Sequence, residues 1–188
     1  SLRHHCGELL DVVVAEEERL EREGGLDTND LERRNYEFIR ARDGIWAITR
    51  DRLRAAEVVA SLSGGSTDDA ALGAFLSIHQ ALSALDRLEV RGRDSAGLHL
   101  LIHDHALDLD DPAVLAEINR RSGDINYGTG SVRVVDGVLS IVYKTAAEIG
   151  ELGDNTGVLR AGIAADDLLH RALANNSGRT LVLGHTRW

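Results

Sequence analysis

Arg91-Gly92-Arg93-Asp94-Ser95-Ala96-Gly97-Leu98-His99-Leu100-Leu101-Ile102 is the stretch on which the reading of this chain turns. A small, polar, turn-forming segment passes directly into a run that is apolar except for His99. That run predicts a strand buried on both faces. Upstream, Leu72, Phe75, Leu76, Leu82, Leu85 and Leu88 recur at helical spacing and predict a helix ending at the turn. His79 shares that stripe and reads as a core-edge histidine rather than a ligand. Ser66-Thr67-Asp68-Asp69 resembles a capping box with Ser66 as the cap. Downstream, residues 132–135 and 138–143 flank Asp136-Gly137 and predict a hairpin with a type I′ turn. Residues 112–121 predict a short helix, with Asp111 as its cap and Pro112 at the favoured first position. Further helices are expected within 144–152 and 166–174, and a last strand over 180–184. Strands and helices interleave, so the fold class is mixed α and β.

The amino-terminal third reads differently. Cys6-Gly7 leads into Glu8-Leu9-Leu10-Asp11-Val12-Val13-Val14, whose β-branched end predicts a strand. Cys6 is the only cysteine in 188 residues. A lone cysteine is more often a small buried hydrophobe than a nucleophile. His4 and His5 before it read as solvated side chains. Residues 15–62 read as helical, broken at Gly24-Gly25 and capped again at 27–29. Leu31, Phe38, Ile45 and Leu53 recur there at near-heptad spacing among Arg and Glu. The stripe fits packing on the chain's own domain or binding of a partner helix.

The formal charge of −10 argues against sequence-independent nucleic-acid binding, which needs a basic face to displace counterions. It argues equally against anionic membrane surfaces. One cysteine excludes an internal disulfide framework. No apolar run approaches the length of a membrane span and no signal peptide is seen, so a cytoplasmic setting is expected. His103-Asp104-His105 puts two histidines on one face of a strand end, but spacing fixes no further ligand. It reads as a polar loop, and no metal is expected. Glycines over 150–157 lack the lysine of a phosphate-binding loop, and no cofactor is expected.

Three separated stretches carry a resemblance. Leu88-Glu89-Val90-Arg91-Gly92-Arg93-Asp94-Ser95-Ala96-Gly97 resembles the Leu-Glu-Tyr-Arg-Gly-Tyr-Asp-Ser-Ala-Gly segment of the glucosamine-6-phosphate synthase (glutamine–fructose-6-phosphate aminotransferase) family. Gly184-His185-Thr186-Arg187-Trp188 resembles that family's Gly-His-Thr-Arg-Trp, and Cys6-Gly7 its amino-terminal Cys-Gly. Their order along the chain also agrees. The resemblance implies the amino-terminal part of a class II (Ntn-type) glutamine amidotransferase domain, a sandwich of antiparallel sheets flanked by helices. Residues 15–65 have no counterpart in it and would be a helical insertion. Arg93 stands where the family has tyrosine.

The resemblance also implies a chemistry. Glutamine would be hydrolysed to glutamate and ammonia, and the ammonia passed to a phosphosugar on an isomerase domain. Cys6 would be the nucleophile, with its own α-amine as base, since such an amine has a pKa near 8. Arg187 would bind the glutamine α-carboxylate, as a planar guanidinium can do with two parallel bonds. Trp188 would gate the ammonia passage, and Arg91 and Asp94 would organise the site. The family's Asn-Gly oxyanion hole and amine-binding aspartate lie beyond its Arg-Trp, where this sequence stops. These 188 residues alone are therefore expected to be incomplete and inactive. The exposed sheet edges would be covered by the rest of the polypeptide or by a homo-oligomer. The mechanism needs a free amine on Cys6, yet Ser1 to His5 precede it. The alternative is a catalytically inactive Ntn-like scaffold used for regulation or assembly.

Overall fold

The computed structural model describes residues 1–25, 27–90, 94–123, 128–146, 153–175 and 177–187, with Arg187 described by its backbone. The chain divides into two compact units, Ser1–Glu57 and Val58–Trp188.

In the first unit, the strand expected over residues 6–14 is a helix instead. Helix α1 spans Leu2–Glu23, with the Ser1 side chain accepting from the His4 amide. Cys6 and Val13, seven residues apart, lie on one helical face and are buried with Ile45, against Phe38 and Ala41. Strand preference spans only about 1 kcal/mol between residue types, so packing of this stripe decides the conformation of the three valines. Helix α2, Thr28–Trp46, begins at an Asp27 cap whose carboxylate accepts from the Asp30 amide. A π-helical segment, Ala47–Arg52, follows in continuous right-handed backbone and leads into α3, Leu53–Leu62. The Thr49 hydroxyl donates to the Ile45 carbonyl at 2.8 Å, competing with the backbone ladder where it widens. Ion pairs Arg42–Glu17, from α2 to α1, and Arg3–Glu57, from α1 to α3, show that α1 runs antiparallel to the continuous helix that follows it.

The second unit is built on a four-stranded antiparallel sheet, order β2-β3-β1-β4. Its strands are β1 (Ser95–His103), β2 (Ser131–Val135), β3 (Val138–Thr145) and β4 (Arg179–Arg187). The β2–β3 hairpin turns at Asp136 (φ 50°) and Gly137 (φ 74°), the two positive φ angles that a type I′ turn requires. Strand β1 is not buried on both faces as expected. Leu98, Leu100 and Ile102 are buried, whereas His99 and Leu101 are half-buried. The buried face continues through Val132, Leu139, Ile141 and Tyr143. Helix α4 (Asp69–Leu88) packs on β4, α5 (Pro112–Ser122) on β2, and α6 (Asp154–Ala164) on β1 and β3. Helix α7 (Asp167–Leu173) packs against α4.

Three local readings change. The capping box at Ser66 is absent: Ser66 Oγ accepts from the Asp68 amide, and α4 starts after Asp68 with no side-chain cap. In 144–152, Lys144 and Thr145 extend β3, and 147–152 lie outside the described residues. Helix α6 was not expected, because Gly157 and Gly162 within it interrupt its apolar pattern. Among the described residues, no helix is long and apolar enough to cross a membrane, and none form a cluster that could hold a metal ion. His103 is exposed, and both ring nitrogens of His105 are buried with no partner among the described residues.

Candidate functional site at the junction of β1 and β4

Residues 94–98 and 184–187 are more than eighty positions apart in sequence and are neighbours in the sheet. β1 and β4 pair antiparallel with Ser95 opposite Arg187, Ala96 opposite Thr186, Gly97 opposite His185 and Leu98 opposite Gly184. The two glycines in this register are there for space. A Cβ on Gly97 would come within 2.5 Å of His185 Cε1, so the imidazole lies over the bare backbone of β1. A Cβ on Gly184 would meet Leu98 Cδ2 at 3.3 Å and the Leu85 side chain at 3.4 Å. Gly184 thus lets α4 approach β4 closely, and Gly97 seats a histidine on the opposite face.

That opposite face carries His99, Leu101, Lys144, Leu181, Leu183 and His185. His99 Nε2 and Ser140 Oγ are hydrogen-bonded across β1 and β3 at 2.7 Å. Leu181 and Leu183 are about half exposed, at 52% and 50%. Asp94 is exposed at the bend that opens β1, and Arg187 closes β4 opposite Ser95. The structure therefore brings Asp94 and the Arg187 backbone to one end of the β1/β4 pair. Arg91 and Trp188 lie outside the described residues. Cys6 is in α1, 5% exposed, in the other unit.

Two groups were not singled out from sequence. Glu89, within the first motif, is 1% exposed, and its Oε2 accepts from the Gly153 amide at 2.6 Å. It ties the end of α4 to the start of α6, where Asp86 also accepts from the Thr156 hydroxyl. The second group is Arg121–Asp166–Tyr143, beside a cavity of about 340 Å³. Arg121 donates to both Asp166 oxygens, at 2.8 and 2.6 Å, and to the Gly130 carbonyl at 2.6 Å. The Tyr143 hydroxyl donates to Asp166 at 2.7 Å, and the same carboxylate accepts from the Leu168 and Leu169 amides. Burial opposes the Asp166 charge, but the guanidinium and the phenol outweigh it and hold its pKa below the usual carboxylate range. Burial, reinforced by Asp166, pushes the Tyr143 phenol well above its ordinary value. Each donor here has its acceptor, so the cluster fixes α5, β3 and α7 together and leaves no group free for chemistry. The helix periodicity of 112–121 and the cap at Asp166 are legible in sequence. Their contact across 45 positions is not.

No family model matches the chain, and neither a search of curated proteins nor one of solved structures found a match.

Proposed function

We propose that residues 58–188 are the amino-terminal portion of a glutamine amidotransferase domain of the glucosamine-6-phosphate synthase type. It would release ammonia from glutamine in the cytoplasm for transfer to a phosphosugar. The observation that carries this reading is the in-register pairing of 94–98 with 184–187, in which Gly97 seats His185. Two motifs that resemble one family's site are brought to one end of two hydrogen-bonded strands. An Ntn-like sandwich is the finer fold proposed. Support comes from the half-exposed Leu181 and Leu183, which a second sheet would cover. In this reading Arg187 takes the substrate α-carboxylate, Asp94 and Arg91 order the β1 entry, and Trp188 closes the site to water.

Cys6 is where the reading and α1 part. A thiol that uses its own α-amine as base needs that amine free. In α1 the Cys6 nitrogen is in a peptide bond and the thiol is buried. The proposal therefore rests on the β1/β4 junction and not on Cys6. The second reading, a non-catalytic scaffold, is favoured by that helix alone.

A glutamine-mimicking electrophile, applied to the polypeptide that contains these residues, separates the two. The amidotransferase reading predicts one thiol adduct, blocked by L-glutamine and lost in Gly97→Ala, where the new Cβ displaces His185. An adduct on Cys6 would mean that α1 opens at its start in the active protein. No glutamine-protected adduct on any residue would leave the scaffold reading standing.

A further inference from the structure

Phe75 and His170 line another cavity of the second unit, about 520 Å³ in volume. It opens between the turn at 63–66, the start of α4, the end of α6, and α7. His170 is held there from three sides. Its ring stacks on Phe75, itself 1% exposed, with centroids 5.2 Å apart. Its Nε2 lies 3.1 Å from the Ala164 carbonyl oxygen, which can only accept, so Nε2 carries the proton of the neutral ring. Its Cε1–Nδ1 edge faces Gly64, where a Cβ would stand 4.0 Å from Nδ1. Nδ1 is therefore a lone pair fixed at a cavity wall, and no group among the described residues donates to it.

The donors around this cavity are already committed. Ser63 Oγ donates to the Ala60 carbonyl at 3.2 Å, and Ser66 Oγ to the Asp68 carboxylate at 3.5 Å. In the turn, the Gly64, Gly65 and Ser66 amides donate to the Ser61, Ala60 and Ser63 carbonyls. No lysine or arginine among the described residues lines the cavity. The open amides in the first turn of α4 sit beside Asp68 and Asp69, two carboxylates that disfavour a further anion. What the cavity offers is acceptors: His170 Nδ1 and the exposed carboxylate of Asp167, three residues before it on α7 and so on the same side of that helix.

We propose that this cavity binds a small protonated amine, whose N–H groups donate to His170 Nδ1 and to the Asp167 carboxylate. An ammonium group brings several donors and the charge that Asp167 attracts. A carboxylate or phosphate would bring neither. This inference does not depend on the glutaminase reading.

The test is nuclear magnetic resonance of the whole chain near pH 7.5, where ethanolamine is a cation. Ethanolamine, ethylene glycol and glycolate share a two-carbon frame and differ in charge. Each is added to tens of millimolar, a range suited to ligands of about four or five non-hydrogen atoms. Without ligand, the His170 ring nitrogens should show Nε2 protonated and Nδ1 bare. Ethanolamine should shift Nδ1 and the Gly64 and Gly65 amides to saturation, while His99, bonded to Ser140 on the sheet, stays in place. Ethylene glycol should bind more weakly and glycolate not at all. Asp167→Asn should weaken ethanolamine by about tenfold, the difference between a charge-assisted and a neutral bond. His170→Phe, which keeps a ring against Phe75, should abolish the response of the glycine amides. The proposal is overturned by a protonated Nδ1 with a bare Nε2, by no saturable response to ethanolamine, by glycolate binding as tightly, or by ethanolamine binding unchanged in either variant.

Discussion

In the helical pair α1–α2, the buried cluster among the described residues is Cys6, Val13 and Ile45, and the ion pairs lie at the surface, Arg42 and Glu17 among them. In the sheet unit, a single cluster runs from Val59 to Leu173 and includes the fully buried Ile78, Leu82, Leu100, Ile102 and Ile141. Its principal ion pair, Arg121–Asp166, has side chains only 11% and 8% exposed. Both units draw on aliphatic residues, in a chain with few aromatics. What differs is how many side chains each removes from water, at about 1.5–3 kcal/mol apiece. The sheet unit has its own folding energy. The helical pair is held by a short seam of buried side chains.

That contrast can be broken by substitution. The largest effect is expected for Phe75→Ala, at a side chain 1% exposed in the sheet unit. The loss should be about 3–5 kcal/mol in a chemical denaturation midpoint. An equal loss from Val13→Ala in the helical pair would erase the distinction. Next is Asp166→Asn, which leaves the Arg121 guanidinium against a neutral amide and should cost about 1.5–3 kcal/mol. Arg42→Ala, at a half-exposed pair, should cost less than about 1 kcal/mol.

Acid should act on the sheet unit first. Burial lowers the His105 pKa below its ordinary 6.5, so the unfolded chain binds the proton more readily than the folded one. Stability therefore falls as pH drops below about 6.5, and His105→Leu should flatten this part of the profile. Asp166 acts lower. Its folded pKa is below the ordinary 3.8, so its contribution is present above that value and is lost as pH falls through the folded one. A denaturation midpoint followed from pH 7 to pH 3 reads both steps.

Much of the sheet unit is legible from local chemistry. Asp136-Gly137 can adopt the two positive φ angles of its turn, and Pro112 after Asp111 starts α5. The alternation in β1 is partly hidden because Leu101 is apolar yet half-buried, on a face where Leu181 and Leu183 are also left open. Cys6 to Val14 misleads for a tertiary reason. The valines favour a strand locally, but the seven-residue spacing of Cys6 and Val13 finds Phe38, Ala41 and Ile45 to pack on. The candidate site divides the same way. Gly97 and His185 are visible in sequence only as members of two motifs, and that one makes room for the other is a property of register. Glu89 is hidden because nothing in its neighbours announces that a carboxylate will be buried against the Gly153 amide.

The central claim is that the Ser95/Arg187 end of the β1/β4 pair belongs to a glutaminase site. It is tested most directly by glutamate release from L-glutamine by the polypeptide containing these residues, with Arg187→Ala beside the wild type. Two charge-assisted bonds to the substrate carboxylate, each about 1.5–3 kcal/mol, make the expected loss in kcat/KM at least about 10²-fold. Wild-type glutamate release with that loss in Arg187→Ala is the predicted result. A wild-type polypeptide that releases no glutamate, or an Arg187→Ala variant that releases it at the wild-type rate, would contradict it.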